Sequence, residues 1–127
     1  MEKVNGIGGL FFRAKDPAAL AAWYRDHLGV ALVPTNYDDS PWHQDSGPTA
    51  FAPFPEATDY FGDAGRVWMV NFRVYSLDAM VEQLRAAGIT VTIDPEEYPN
   101  GRFARLHDPE GNPIELWEPA GRDAIPY

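Results

Sequence analysis

The stretch Asp108-Pro-Glu-Gly-Asn-Pro-Ile-Glu-Leu116 decides the fold, because it combines a tight turn with the start of a strand. Its first five residues include the proline, glycine and small polar side chains that favour a turn between two β-strands. Side chains alternate along the strand that follows, so Glu115 and Trp117 are predicted to share one face of a sheet. The sequence therefore predicts a β-hairpin that ends at Pro119.

The residues before this hairpin predict a strand, a helix and a second strand. Val67–Val74 is strand-like, Ser76 is a typical helix N-cap and Gly88 is a typical helix stop. Ile89–Ile93 resumes as a strand. One helix face is marked by apolar residues at helical spacing, namely Leu77, Met80, Val81, Leu84 and Ala87.

The first half of the chain repeats this pattern. Ile7–Ala14 is strand-like, and Asp16 followed by Pro17 marks a helix start. The helix stops at Gly29 and a short strand follows at Val30–Val33. The apolar helix face consists of Leu20, Trp23, Tyr24 and Leu28, and a predicted hairpin ends in the stretch Gly47-Pro-Thr-Ala-Phe-Ala-Pro-Phe-Pro55.

The spacing of the two halves indicates an internal repeat. Asp16 and Ser76 are 60 residues apart (76 − 16), and Gly29 and Gly88 are 59 apart (88 − 29). We predict an α+β fold in which two βαβββ units form a curved mixed sheet around a cup-shaped cavity. Residues 1–127 form one domain, with unit one at 6–55, a linker at 56–65, unit two at 66–119 and a C-terminal tail at 120–127.

Composition excludes several function classes. The chain of 127 residues has no cysteine, which excludes disulfides, thiolate metal sites and a cysteine nucleophile. Its net charge of −9 disfavours nucleic acid and anionic lipid as partners. No apolar run approaches the roughly 18 residues of a membrane span, and no targeting segment precedes the first strand, so we expect a cytoplasmic protein.

Four blocks of this sequence are similar to recurring blocks of the glyoxalase / bleomycin-resistance / extradiol-dioxygenase (vicinal oxygen chelate) superfamily. They occur in the family's order across residues 6–119, and they are Gly8–Asp16, Trp23–Gly29, Asn71–Val74 and Asp108–Leu116. The resemblance implies the fold described above. It is less informative about reaction, because this superfamily includes isomerases, dioxygenases, epimerases, thiol transferases and antibiotic-binding proteins without catalysis.

The resemblance also implies where metal ligands would lie. Family members with metal chemistry place His, Gln or Glu side chains in the first and last strands of each unit, and the matching positions here are Gly9, Phe51, Met69 and Glu115. Only Glu115 can coordinate a divalent ion, whereas a catalytic site needs about three protein ligands. We therefore predict no metal site and no cofactor.

Glu115 is the predicted catalytic or anchoring residue of the cavity. Its carboxylate could act as a general base or bind a ligand, or it could simply pair with Arg13 or Arg73. Around it we predict a mostly apolar ligand site with a few polar tips. The predicted ligand-binding residues are Phe11, Trp42, His43, Phe51, Met69, Asn71, Arg73, Phe103 and Trp117.

Other features allow more than one interpretation. His27 and His107 are expected to be structural or solvated, and Tyr60-Phe-Gly62 in the linker is either a mobile cover over the cavity or a strap between the halves.

The sequence favours metal-independent binding of a small, partly aromatic molecule, by a protein that forms a homodimer. The alternative is a divalent-metal-dependent lyase, isomerase or dioxygenase that uses Glu115 with His43 or Gln44. A third possibility is an interaction domain whose pocket is filled by its own side chains. Whether the two units pair within one chain or between two chains is left open.

Overall fold

A computed structural model describes residues 1–125 as an α+β arrangement of two helices and one mixed sheet. In chain order the elements are α1 (Pro17–Leu28), β1 (Val70–Arg73), α2 (Leu77–Ala86), β2 (Thr92–Ile93), β3 (Gly101–His107) and β4 (Pro113–Pro119), followed by a 3-10 turn at Gly121–Asp123. Residues 126 and 127 of the predicted tail lie outside the described residues.

Both helices begin where the sequence predicts, because their caps are local. The Asp16 carboxylate accepts a hydrogen bond from the Ala19 amide at 3.1 Å, and the Ser76 hydroxyl accepts one from the Ala79 amide at 3.2 Å. After α1 the chain turns through Gly29 at φ 74°, a left-handed conformation that suits glycine. The predicted helices are therefore confirmed.

The sheet has the strand order β1-β4-β3-β2, with β1 parallel to β4 and the other pairs antiparallel. The turn at residues 108–112 joins β3 to β4 as predicted, with the Gly111 amide donating to the Asp108 carbonyl at 2.9 Å. Strands β1 and β2 are the edges, so the sheet is open rather than closed.

The prediction of strands in the first half was wrong. The segments 7–14, 30–33 and the predicted hairpin before Pro55 are not strands, and all four strands of the described sheet come from unit two. Apolar alternation predicts which side chains a strand would bury, but a strand also needs a backbone partner for its ladder. These segments instead leave apolar side chains such as Leu10, Phe11 and Val33 exposed.

The hydrophobic core lies between the helices and one face of the sheet. Leu20 and Tyr24 of α1 are buried in it with side chains of α2, β3 and β4. The register of β1 and β4 puts Phe72 beside Leu116 on this core face. The fully buried residues that α2, β3 and β4 contribute include Leu77, Val81, Leu84, Ala104, Ile114 and Leu116.

A buried carboxylate fastens α1 to the β3–β4 turn. Asp108 accepts hydrogen bonds from the Tyr24 hydroxyl at 2.7 Å and from the Asn112 side-chain amide at 2.7 Å. Its other oxygen accepts the backbone amides of Glu110 and Asn112 at 2.9 and 3.0 Å. Burial, together with the hydrogen bond to Asp108, raises the pKa of Tyr24 well above its ordinary value.

Among residues 1–125, no helix is both long enough and apolar enough to cross a membrane.

Candidate functional site

The sheet face opposite the core carries a cluster of polar and aromatic side chains, which we call the site face. Strand register determines which side chains lie on the site face, because side chains alternate between the two faces of a sheet. Glu115 of β4 pairs with Asn71 of β1 on one side and with Arg105 of β3 on the other. The site face comprises Asn71 and Arg73 of β1, Thr92 of β2, Phe103 and Arg105 of β3, and Glu115 and Trp117 of β4.

Glu115 lies at the centre of the site face and is only 6% exposed. Its Oε1 accepts a hydrogen bond from the Asn71 side-chain amide at 2.7 Å, and its Oε2 accepts one from the Tyr60 hydroxyl at 2.5 Å. The Nε of Arg105 lies 3.6 Å from the same Oε2. A buried carboxylate is costly unless it is paired and hydrogen-bonded, and here both oxygens have donors and a cation lies nearby.

Tyr60 reaches Glu115 from the linker at residues 56–65, which we call the strap. The Arg105 guanidinium lies 4.0 Å from the centre of the Tyr60 ring and donates to the Tyr60 carbonyl at 2.6 Å. Phe54 stacks on the ring with centroids 5.2 Å apart. Burial and the hydrogen bond to Glu115 raise the pKa of the Tyr60 phenol, although Arg105 opposes this shift. At neutral pH the phenol is therefore a hydrogen-bond donor.

A cavity of about 310 Å³ opens beside this network, which is near the lower end of the range for small-molecule sites. One wall is aromatic, since Phe103 stacks on Trp117 with centroids 6.3 Å apart and planes 1° from parallel. The Trp117 indole is held in place by donating to the Asn100 carbonyl at 2.9 Å. The cavity is lined by Tyr60, Thr92, Ile93, Asp94, Pro95, Phe103, Arg105 and Glu115.

Some of the predicted site residues meet at this cavity. Glu115 and Phe103 line it, Asn71 binds Glu115, and Trp117 backs Phe103. Arg73 shares the site face, but its guanidinium donates to the Asp45 carbonyl at 3.0 Å. Met69, just before β1, is half-buried.

Other predicted ligand residues lie elsewhere in the chain. Phe11 is 94% exposed and Phe51 is 85% exposed, and His43 is exposed as well. The Trp42 ring lies 6.4 Å from the ring of Phe72, which faces the core rather than Glu115. Within a single chain, none of these four side chains lines the cavity. Their contact with a ligand stays a prediction.

Two residues that contact Glu115 were not predicted from the sequence as its partners. Arg105, rather than Arg13 or Arg73, is the cation beside Glu115, because the antiparallel register of β3 and β4 places it directly opposite. The signal was present, since Arg105 follows Phe103 by two residues and so shares its face. The sequence predicts Tyr60 as part of a cover over the cavity or a strap between the halves, and no local pattern shows that its hydroxyl reaches Glu115.

Arg13 lies in a second cavity, also of about 310 Å³, with Lys15, Arg66 and Glu110 among its lining residues. The Glu110 carboxylate accepts the backbone amides of Lys15 and Asp16 at the start of α1, at 2.6 and 3.1 Å. Arg66 donates to the Glu110 carbonyl at 2.8 Å. The Glu110 carboxylate therefore ties the start of the first helix to the β3–β4 turn, and Arg66 ties the segment before β1 to the same turn.

The side chains around Glu115 are not suited to bind a divalent cation together with it. Such an ion needs about three His or carboxylate ligands, whereas the groups nearest Glu115 are an amide, a phenol and a guanidinium. The Arg105 guanidinium would repel a second cation at this position. Within residues 1–125, no group of three or more His, Cys, Asp or Glu side chains is arranged to hold a metal ion.

Comparison with known proteins agrees with the fold. The family model described as a glyoxalase-like domain matches residues 9–117. A curated relative, the anthracycline biosynthesis protein DauV of Streptomyces sp. (strain C5), is 32% identical over an alignment of 130 positions that covers 94% of this chain. The match covers 45% of DauV, so the chain spans about half the length of that relative.

Solved structures share the same architecture. TnmS3, an antibiotic binding protein from Streptomyces sp. CB03234, matches with a TM-score of 0.62 and 19% identity over 94% of this chain and 100% of its own. A glyoxylase/bleomycin resistance protein/dioxygenase domain from Frankia sp. EAN1pec matches with a TM-score of 0.56 and 20% identity over 92% and 99% of the two chains. At these identities the likeness to the two solved structures concerns the fold alone. The family resemblance is confirmed by the glyoxalase-like domain model, which matches most of the chain.

Proposed function

This chain belongs to the glyoxalase-like domain family, and we propose that it binds a small, partly aromatic molecule without a metal ion, in the cavity beside Glu115. The observation that carries the proposal is the pairing of the Glu115 carboxylate with Tyr60, Asn71 and Arg105. A carboxylate surrounded by protein donors is a polar anchor, because its lone pairs already face hydrogen-bond donors and a guanidinium rather than a metal ion.

The aromatic wall supports a flat ligand. The Phe103 ring lines the cavity and lies nearly parallel to the Trp117 ring, and a ring held in this way suits an aromatic molecule that stacks or packs edge-on. The name of DauV associates a relative with anthracycline biosynthesis, which supports an aromatic ligand class here.

The metal-dependent alternative makes a different demand on the same residues. A lyase, isomerase or dioxygenase that used Glu115 would have to move the Tyr60 hydroxyl and the Arg105 guanidinium away from it before an ion could bind. The two functions therefore predict different responses to metal.

The direct test is ligand-dependent thermal stabilisation, measured with and without a chelator. A ligand that binds only the folded chain stabilises it by about 2.7 kcal/mol at a hundred times its Kd. We expect fused-ring aromatics to raise Tm equally in EDTA and in excess Zn²⁺, Ni²⁺, Mn²⁺ or Fe²⁺. Phe103→Ala should weaken binding, while the exposed Tyr37→Ala should not. One equivalent of retained metal that is lost in Glu115→Gln would support the enzyme instead.

We also propose a homodimer. Apolar side chains of the first half, including Leu10, Phe11, Val33 and Phe51, are exposed, and β1 is an unpaired sheet edge. A second copy of the chain that covered these groups would bury the exposed apolar side chains and pair the edge strand. Sedimentation equilibrium should give twice the chain mass of 14.2 kDa, and Phe11→Lys should shift the mass towards one chain. A wild-type monomer across micromolar concentrations would contradict the dimer.

A further inference from the structure

The protein already binds one phenol, namely its own Tyr60, in the site described above. The hydroxyl donates to the Glu115 Oε2 at 2.5 Å, the Arg105 guanidinium lies over the ring, and Phe54 stacks on it. A carboxylate acceptor, a cation over the ring and an aromatic stacking partner are together a recognition site for a phenol.

Tyr60 is not part of the hydrophobic core. Its side chain is 39% exposed, and its ring neighbours Phe54 and Phe61 are close to it in the chain. The strap consists of successive turns, in which the Gly62 amide donates to the Asp59 carbonyl at 2.9 Å. Tyr60 is therefore held at the site by its polar contacts with Glu115 and Arg105 and by its aromatic neighbours, and not by burial in the hydrophobic core.

Resting on the proposed function, we propose that the cavity selects aromatic ligands that carry a phenolic hydroxyl, and that the Tyr60 hydroxyl is an internal stand-in which such a ligand displaces. When Tyr60 leaves, the Glu115 Oε2 needs a new donor, because a buried carboxylate oxygen without one is costly. A phenol supplies that O–H group, whereas an aryl ether of the same size does not. The proton stays on the ligand, which donates a hydrogen bond as Tyr60 does.

The electrostatics of the site agree with this assignment. Burial and Glu115 raise the pKa of the Tyr60 phenol, so the environment favours a neutral hydroxyl over a phenolate. A ligand phenol in the same place experiences the same burial and the same neighbours, namely Glu115 and the opposing Arg105, and we expect it to bind in its neutral form.

The test compares 2-naphthol with 2-methoxynaphthalene, which keeps the ring system but lacks the O–H donor. Dissociation constants at neutral pH are measured by calorimetry for the wild type, Tyr60→Phe and Glu115→Gln. A hydrogen bond to a charged acceptor corresponds to a preference of about tenfold to hundredfold. We expect the wild type to prefer 2-naphthol by at least about tenfold.

The variants separate the two parts of the proposal. Tyr60→Phe removes the internal competitor, so both compounds should bind about tenfold more tightly and the preference for 2-naphthol should be kept. Glu115→Gln replaces the charged acceptor by an amide whose oxygen can still accept a weaker hydrogen bond, so the preference should fall by about threefold or more below the wild-type value. Tyr37→Phe, at an exposed tyrosine that is not among the residues lining the cavity, is the matched control and should change neither constant.

Each contrary result has a distinct meaning. If the wild type binds both compounds equally, the phenol selectivity is wrong while the aromatic binding function stands. If Tyr60→Phe tightens neither compound, Tyr60 is not the displaced group. If neither compound binds any of the proteins, the proposed function fails as well. The wild-type and Tyr60→Phe comparisons remain decisive even if Glu115→Gln does not fold.

Discussion

Replacing Asp108 by Asn tests the buried hydrogen bonds that fasten the first helix to the β3–β4 turn. The substitution preserves the shape of the side chain, which is only 4% exposed, and removes its charge. One oxygen remains and can still accept the backbone amides of Glu110 and Asn112. The new amide nitrogen then faces the Tyr24 hydroxyl and the Asn112 side-chain amide, both of which donate to Asp108 in the wild type.

The cost follows from these partners. The substitution weakens two hydrogen bonds to a charged acceptor, each of which contributes about 1.5–3 kcal/mol to stability. Part of this loss is offset, because the folded chain no longer has to bury a charge. Asn112 cannot flip its amide without losing the bond that its oxygen accepts from Arg66 at 3.0 Å. We expect Asp108→Asn to lower the free energy of unfolding by about 2–4 kcal/mol, which corresponds to roughly 10 °C in Tm.

Urea denaturation monitored by tryptophan fluorescence measures this effect. Asp59→Asn, at an exposed position, is the matched control and should change the free energy of unfolding by less than about 0.5 kcal/mol. A double-mutant cycle with Tyr24→Phe should give a coupling energy of about 1 kcal/mol or more. A coupling near zero, or an Asp108→Asn protein as stable as Asp59→Asn, would refute the assignment of these hydrogen bonds.

Three further predictions concern the fold. The pKa of Tyr24 is raised in the folded chain, so the unfolded chain loses this proton first as pH rises. The contribution of Tyr24 to the free energy of unfolding is therefore fully present below about pH 10 and falls as pH rises further. Above about pH 10, the free energy of unfolding of Tyr24→Phe should fall less steeply with pH than that of the wild type, by up to about 1.4 kcal/mol per pH unit. Gly101→Ala should destabilise the chain by more than about 2 kcal/mol, measured by urea denaturation, because Gly101 has φ 142° and a Cβ there would lie 2.2 Å from the Glu118 carbonyl oxygen. Leu116→Ala should lower the free energy of unfolding by about 2–5 kcal/mol, since Leu116 is fully buried between the sheet and the helices, and a calorimetric Tm unchanged from wild type would contradict the core described here.

Local sequence signals determined the helices and the last hairpin. Asp16, Ser76, Gly29 and Gly88 cap or end helices through bonds and conformations that involve only neighbouring residues, so their positions were predictable. The turn after Asp108 is equally local. The alternation along β4 also placed Glu115 and Trp117 on one face, because the side-chain period of a strand is two.

Only part of the candidate site could be predicted from the sequence. Alternation identifies which side chains share a face, and the resemblance to the glyoxalase superfamily singled out Glu115. Neither of these identifies the neighbour of Glu115 on the adjacent strand, because that neighbour depends on strand register. Arg13 and Arg73 were therefore candidate partners of Glu115 by the same argument that would have allowed Arg105.

The sequence by itself determined the α+β class, the helix boundaries, the turn and the central position of Glu115. The tertiary structure decided which groups meet Glu115: β3 brings Arg105 opposite it, and the strap brings the Tyr60 hydroxyl from 55 residues away in the chain. It also decided that the apolar segments of the first half have no place in the four-stranded sheet. The physical reason is that caps and turns are satisfied by bonds within a few residues, whereas strands and buried charges need partners that only the folded chain supplies.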